Sequence, residues 1–435
     1  MIGSRMNTPD YRIQLRQAIK HYLPARGLPL LAKRRWSDRL LIMVMLLLVW
    51  STGTTQVDRF SEARHTVVAM YRSRKRPGGS LAGFMATLGR HTTRLLALVV
   101  QCLQKQMPRR FKKQWLTGRF LAFGFDGTKI DCSRTRGNQK HFKNGGRAKS
   151  APQMVLGTMI HLATGLIWSW RHGDAKAAER TLLREMLEDL PQEALLITDA
   201  GLTGYDLLST ILASGRSILM RVGANVQLLR KLGYYVQEKP GIVYLWTQDA
   251  RWQGQEPLIL RLLTFSDGRN RRMSLLTNLL TDTQMTAEEA RMLYGKRWGV
   301  EMLFRALKQT LVRRKMLADS PQNARMELDW TMVGLWMLGM LTVETRAQQA
   351  PAHQGFAQAL RIVRAAMSGR GDGRSSLWRK LHQLRRDCYV RKHAKKARDW
   401  PHKKNEPPCG VPEVRMATPR EILKAQRLWG LKQAA

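Results

Sequence analysis

Between about residue 118 and residue 222 the chain alternates short apolar runs with amphipathic ones, and that alternation leaves few folds open to it. Phe120 to Phe125 is a strand-length apolar run ending in Asp126-Gly127. Met154 to Leu162 and Leu166 to Trp170 flank Ala163-Thr164-Gly165 as a predicted hairpin, and a helix is expected from about Ala175 to Leu190. Ala194 to Thr198 reads as a buried strand ending in Asp199-Ala200-Gly201, followed by a helix over Gly204 to Ser214 and a strand over Ser217 to Val222. Strands, helix, strand, helix, strand is the order of a mixed α/β sheet. Residues from about 224 to 283 break that order with β-like pieces around Ile242 to Thr247, Leu258 to Phe265 and Met273 to Leu276, which predicts a β-rich insertion.

The flanks read differently. Residues 1–112 show only helical patterning, with apolar groups around Leu40 to Val49, Val67 to Tyr71 and Leu95 to Leu103, so a helical DNA-binding domain is expected there. A catalytic α/β domain over 113–345 follows, and Trp330 to Val343 supplies it with a buried helix. Residues 346–435 form a basic, helical C-terminal region suited to DNA binding or dimerisation, and Gly369, Gly371 and Gly373 suggest a hinge near its start.

Charge narrows the partners. With 74 Lys plus Arg against 32 Asp plus Glu, the formal charge is +42, and the excess runs through all parts of the chain. A folded body of this sign is an electrostatic footprint for nucleic acid. The four cysteines, Cys102, Cys132, Cys388 and Cys409, lie too far apart for zinc-ligand spacing and fit a reducing compartment. The apolar run Leu40 to Trp50, at eleven residues, falls well short of the roughly 20 needed to span a bilayer, so it reads as a buried helix.

Tyr294, Arg297, Glu301 and Lys308 fall at spacings of three, four and seven within a segment that reads as one continuous helix, opened by the capping box Thr286 and Glu289. On such a helix they share a face within roughly 60° of arc. The alternative is a solvated charged face with a pair such as Glu301 and Arg305. Asp126 and Asp199 favour the stripe, because each sits where a predicted strand runs out into a Gly-containing turn, and neighbouring strand ends bring distant side chains together. With Glu301 they would make a cluster of three carboxylates. Oxygen-only donors suit two divalent cations, with Mg²⁺ the natural occupant and Mn²⁺ a substitute. The segment Ser133 to Ser150 carries six Lys or Arg and no acid, which makes Arg134, Arg136, Lys140 and Lys143 candidate phosphate contacts.

Taken together, these residues resemble the DDE transposases of the insertion-sequence-four family. The family signature Tyr-x2-Arg-x3-Glu-x6-Lys is matched by Tyr294, Arg297, Glu301 and Lys308, the first aspartate by Phe125-Asp126-Gly127-Thr128, and the second by Thr198-Asp199-Ala200-Gly201-Leu202. The resemblance covers about residues 118–345. It implies a ribonuclease H-like catalytic domain in which Asp126, Asp199 and Glu301 are catalytic metal ligands while Tyr294, Arg297 and Lys308 hold DNA. It also implies cut-and-paste chemistry: nicking at transposon ends, then strand transfer into target DNA. The partners implied are double-stranded DNA, as terminal inverted repeats and target, and a second copy of the chain on paired ends. The compartment implied is the bacterial cytoplasm, at the nucleoid. Relatives stack a flipped base on a tryptophan of the insertion, where this sequence has Met273 and Ser274; the insertion's own tryptophans are Trp246 and Trp252. A ribonuclease H-like nuclease or resolvase without strand transfer, and a non-enzymatic nucleic-acid binder, are the competing readings.

Overall fold

The structure is a computed structural model describing residues 10–24, 28, 36–71, 76–144, 151–234, 239–266, 272–344, 355–370, 376–384 and 410–434. Ahead of the first strand lie the helices α1 (Tyr11–Tyr22), α2 (Asp38–Trp50), α3 (Gln56–Met70) and α4 (Leu81–Arg110). Asp10, Ser37, Thr55 and Ser80 cap their N-termini, each accepting a backbone N–H from the first turn. The apolar run expected to be a buried helix is α2, buried continuously from Leu41 to Trp50. Among the described residues no helix is long and apolar enough to cross a membrane.

The predicted alternation follows as β1 (Ala122–Cys132), α5 (Arg136–Phe142), β2 (Gln153–His161), β3 (Leu166–Gly173), α6 (Glu179–Met186), β4 (Leu195–Thr198), α7 (Tyr205–Ala213) and β5 (Ser217–Val222). The hairpin β2–β3 closes with His161 opposite Leu166, over a turn in which Gly165 takes the left-handed φ of 66°. The insertion consists of β6 (Gln227–Arg230), β7 (Ile242–Leu245), α8 (Gln248–Trp252), β8 (Leu258–Ser266) and β9 (Arg272–Thr277). Beyond it come α9 (Ala287–Lys296), α10 (Trp298–Arg305), a π-helical turn at Ala306–Thr310, β10 (Lys315–Met316) and α11 (Pro321–Glu344). The last elements are α12 (Phe356–Met367), α13 (Leu377–His382), β11 (Glu413–Met416) and α14 (Pro419–Ala434).

The chain divides into two compact units, one of residues 1–115, 127–178 and 299–388, the other of 116–126, 179–298 and 389–435. In the second unit β1, β4 and β5 run parallel, with Ala122 opposite Leu195 and Leu195 opposite Ser217, and β9 joins β5 antiparallel. The insertion extends that sheet through β8, β7 and β6, and β11 from near the C-terminus closes its far edge in parallel with β6. In the first unit, the later half of β1 carries β10 at Asp131 and Cys132 and adjoins the β2–β3 hairpin, in the company of α1 to α4 and α11 to α13. This is a mixed α/β fold of the ribonuclease H-like class, with a helical front and a β-rich insertion.

Helix α11 organises the core of the first unit. Its Trp330 donates to Thr92 of α4 at 2.9 Å, and the Trp50 indole of α2 donates to the Gly334 carbonyl at 3.0 Å. Glycine at 334 is dictated by the approach of the two helices, since a Cβ there would lie 2.7 Å from Val49 Cγ1. The C-terminal carbonyls of α2 have no partners within the helix, and three buried or half-buried arginines from distant parts of the chain take them. Arg313 donates to Val49 O at 2.9 Å, Arg364 to Trp50 O at 2.7 Å and Ser51 O at 3.2 Å, and Arg59 to Gly53 O at 2.8 Å. Cations at this end also complement the helix dipole. Glu327 of α11, 3% exposed, is the counter-charge. It sits 3.6 Å from Arg59 and accepts the backbone N–H groups of Leu317 and Ala318 at 2.8 and 3.0 Å and the Gln56 amide at 3.1 Å. Burial pulls the Arg313 guanidinium down to about 9 and lowers Arg59 as well.

Four expectations are corrected. The strand before Asp126 does not run out there; β1 continues to Cys132, because its ladder passes from β4, paired at Ala122 to Gly124, to β10, paired at Asp131 and Cys132. Asp126 therefore lies in mid-strand, just beyond the β4 ladder. The Tyr294 to Lys308 stripe is not one helix: α9 ends at Lys296, α10 begins at Trp298, and a π turn over Ala306–Thr310 carries Lys308. Gly295 and Gly299 flank the first break, where glycine weakens a helix. The Ser133 to Ser150 segment is not wholly a loop, because Thr135 caps α5 by accepting from Asn138 N at 3.2 Å; residues 145–150 lie outside the described set. Finally, Gly369 is a helix stop. At φ 70° it ends α12 in a Schellman turn, with Gly369 N bonded to Ala366 O and Arg370 N to Ala365 O. Gly371 and Gly373 lie outside the described residues.

Candidate active site

In the second unit, β1 and β4 set two carboxylates around one cation. Asp126 leaves β1 just past the rung that joins Gly124 to Ile197, and Asp199 follows the last residue of β4. Arg297, at the C-terminus of α9 and 9% exposed, places Nη1 3.6 Å from Asp126 Oδ2 and Nη2 3.8 Å from Asp199 Oδ2. The other oxygen of Asp199 is fixed twice, by Ala200 N at 2.8 Å, where Asp199 caps a short 3₁₀ turn, and by the Tyr294 hydroxyl at 3.2 Å. The guanidinium also lies over the Tyr294 ring, 5.6 Å from its centre.

Burial, reinforced by the Asp199 carboxylate, raises the Tyr294 phenol above its ordinary value, so it stays a hydrogen-bond donor at neutral pH. The Asp199 side chain remains 44% exposed, which leaves its Oδ2 open to a ligand from solvent. A second cation faces the same tyrosine, Arg221 of β5. The sequence reading missed it, although a charged residue inside the apolar run Ser217 to Val222 was a visible signal.

In the first unit, Lys308 Nζ donates to Thr128 Oγ1 at 2.6 Å, so the π turn is tied to β1 two residues after Asp126. Glu301 lies in the first turn of α10, half-buried. On α5 and its approach, Arg134, Arg136 and Lys140 are exposed, whereas Lys143 pairs with Asp174 at 2.9 Å. Asp131, expected at the surface, is half-buried and accepts from the Gln153 amide at 2.8 Å. His161 is a core group. Its Nε2 donates to Trp115 O and its Nδ1 accepts from Thr164, both at 2.9 Å, and burial lowers it to about 4. Of the insertion tryptophans, Trp246 is buried and donates to Gln255 O, while Trp252 is 73% exposed.

The Asp126–Asp199 pair suits a hard cation chemically: both donors are carboxylate oxygens, and both already face one positive group. Among the described residues, no three His, Cys, Asp or Glu side chains gather closely enough to hold a metal ion.

A ribonuclease H-like fold with acids on adjoining parallel strands is matched over residues 121–337 by the family of the transposase DDE domain, and the chain belongs to that family. Within it the chain is of the insertion-sequence-four type, being 27% identical over 187 residues to the transposase InsG for insertion sequence element IS4 of Escherichia coli (strain K12). That match takes in 41% of each protein, so the chain spans about two fifths of this curated relative. Among solved structures, the cryo-EM structure of the piggyBac transposase synaptic complex with hairpin DNA aligns at a TM-score of 0.40 and 11% identity, covering 88% of this chain and 75% of that one.

Proposed function

We propose that the chain is the DNA transposase of an insertion sequence, cutting at the ends of its element and joining the freed 3′-hydroxyls to target DNA. The observation that carries this reading is the convergence of Asp126 and Asp199 on the Arg297 guanidinium, at the point where the DDE family keeps its acids. Asp126 and Asp199, together with Glu301 by its place in the signature, would hold divalent cations, with Mg²⁺ as the occupant and Mn²⁺ as a substitute. Bound there, the metals would supply Lewis-acid activation of the attacking oxygen and charge stabilisation of the leaving one.

The protein's own groups prepare for that chemistry. Arg297 balances two carboxylates that would otherwise repel each other. Tyr294 and the Ala200 N–H orient one oxygen of Asp199 and leave the other directed at the cation locus. Lys308, steadied by Thr128, offers an ammonium to a backbone phosphate, as do Arg134, Arg136 and Lys140 on the exposed side of α5. The helices of residues 1–112 would hold the transposon end. Two ends and one set of acids per chain call for a homodimer, with each protomer cutting the end that its partner holds.

The test uses the full chain with its element's terminal repeats. Asp126→Ala, Asp199→Ala and Glu301→Ala should each abolish end cleavage while gel shifts on the same preparations stay near wild type. Near wild-type cutting by any one of them would remove that residue from the site. A pre-cleaved end and a supercoiled plasmid then separate the reactions: joined product marks a transposase, and cleavage without joining marks a nuclease. Recovered cleavage on mixing Glu301→Ala with an end-binding-defective chain would support action in trans.

A further inference from the structure

A cavity of about 270 Å³ lies in the first unit, far along the chain from the acids, and its lining is basic. Arg361, Arg370 and Lys380 contribute three positive groups, Tyr11 and Gln358 contribute polar ones, and no lining residue is acidic. Each cation is delivered by a definite local device. Arg361 shares a face of α12 with Gln358, three residues earlier, and with Ala365, whose small side chain leaves the space open. Arg370 is aimed by the Schellman turn, which needs the left-handed conformation that Gly369 supplies. Lys380 of α13 lies over the Tyr11 ring of α1, its Nζ 5.4 Å from the ring centre.

We infer that this cavity is a binding site for a phosphate group. Three converging cations without an acid would repel one another unless an anion entered, and an arginine fork matches two oxygens of a phosphate at once. The volume falls just below the roughly 300 Å³ at which pockets begin to take drug-sized molecules, which suits a single group and not a large ligand. The phosphate has two sources, the backbone of DNA or a free phosphate compound. The first of these rests on the DNA-binding reading above; the second does not.

The experiment uses the full chain and two double variants, Arg361→Gln/Arg370→Gln and the charge-retaining Arg361→Lys/Arg370→Lys. Both arginines are exposed, so the fold has little stake in them. In one arm, binding of a duplex of arbitrary sequence is measured against salt. Loss of one phosphate contact should reduce the log–log slope by about 0.9 in the glutamine variant and leave it unchanged in the lysine variant. In the other arm, inorganic pyrophosphate is compared with potassium chloride at equal ionic strength, by thermal unfolding. A smaller slope supports backbone phosphate at this cavity. Stabilisation by pyrophosphate that the glutamine variant alone lacks, with the slope unchanged, supports a free phosphate site. If neither slope nor pyrophosphate response separates the variants from the wild type, the inference is overturned. A wild-type chain that binds no duplex sinks the DNA reading, and the pyrophosphate arm still decides the cavity.

Discussion

Removing Glu327 should damage this protein more than any other single truncation of a charged side chain in the first unit. Its carboxylate accepts two backbone N–H groups and the Gln56 amide and lies 3.6 Å from Arg59, with Arg313 nearby as a second positive neighbour. All three charged groups are buried, at 3%, 6% and 2% exposed, so water cannot substitute for the lost acceptor. Breaking a buried ion pair by removing one partner costs about 3–5 kcal/mol. Two orphaned backbone donors add about 1–3 kcal/mol each where no water reaches them. Glu327→Ala should therefore lose at least about 4 kcal/mol. Glu327→Gln keeps an acceptor oxygen for Leu317 and Ala318 and removes only the charge, so it should lose about half as much. Urea unfolding followed by tryptophan fluorescence suits the measurement, because Trp50, Trp330 and Trp336 are all buried in this unit. Equal losses for the two variants, or a loss under about 1 kcal/mol for Glu327→Ala, would refute the reasoning.

Three further outcomes are expected. His161, lowered to about 4 from 6.5, is neutral in the fold and protonates more readily once unfolded, so stability is full above pH 6.5 and falls by roughly 3 kcal/mol as pH drops from 6.5 to 4. His161→Gln should flatten that acid limb in melts taken across pH, and an unchanged limb would contradict the assignment. Val312, a β-branched residue at φ 56°, follows the π turn in the left-handed region, so Val312→Gly should stabilise by about 1 kcal/mol, and a lower melting temperature would count against strain there. Tyr294→Phe removes the hydrogen bond to Asp199, worth about 1 kcal/mol, and should slow end cleavage about fivefold with end binding intact; loss of end binding instead would make Tyr294 a DNA contact first.

What the sequence revealed depended on how local the determinant was. Asp199 was legible because a four-residue apolar strand, a cap and a glycine turn are adjacent in the chain. The β2–β3 hairpin was legible for the same reason. Asp126 was found, but its setting was misread, since the continuation of β1 depends on β10, nearly two hundred residues downstream. The stripe was right for Tyr294 and Arg297, which both face Asp199, but its single-helix geometry fails at Lys296 and again at the π turn, where no residue type announces a change of pitch. The set Arg59, Glu327, Arg313 and Arg364 left no trace in the pattern at all, because nothing in four scattered charges says that they meet.

That set also has a bearing on how the chain is made. The carbonyl of Trp50 waits for the guanidinium of Arg364, 314 residues later. At ribosomal speeds this is an interval of roughly 15–60 s, during which α2, apolar on all sides, is outside the ribosome without its cap and without the α11 surface that covers it. Residues 179–298 lie wholly in the second unit and come earlier than the last pieces of the first. The N-terminal helices are thus synthesised first and completed last, so a nascent chain stopped anywhere before Arg364 presents α2 as a sticky surface and not as a finished domain.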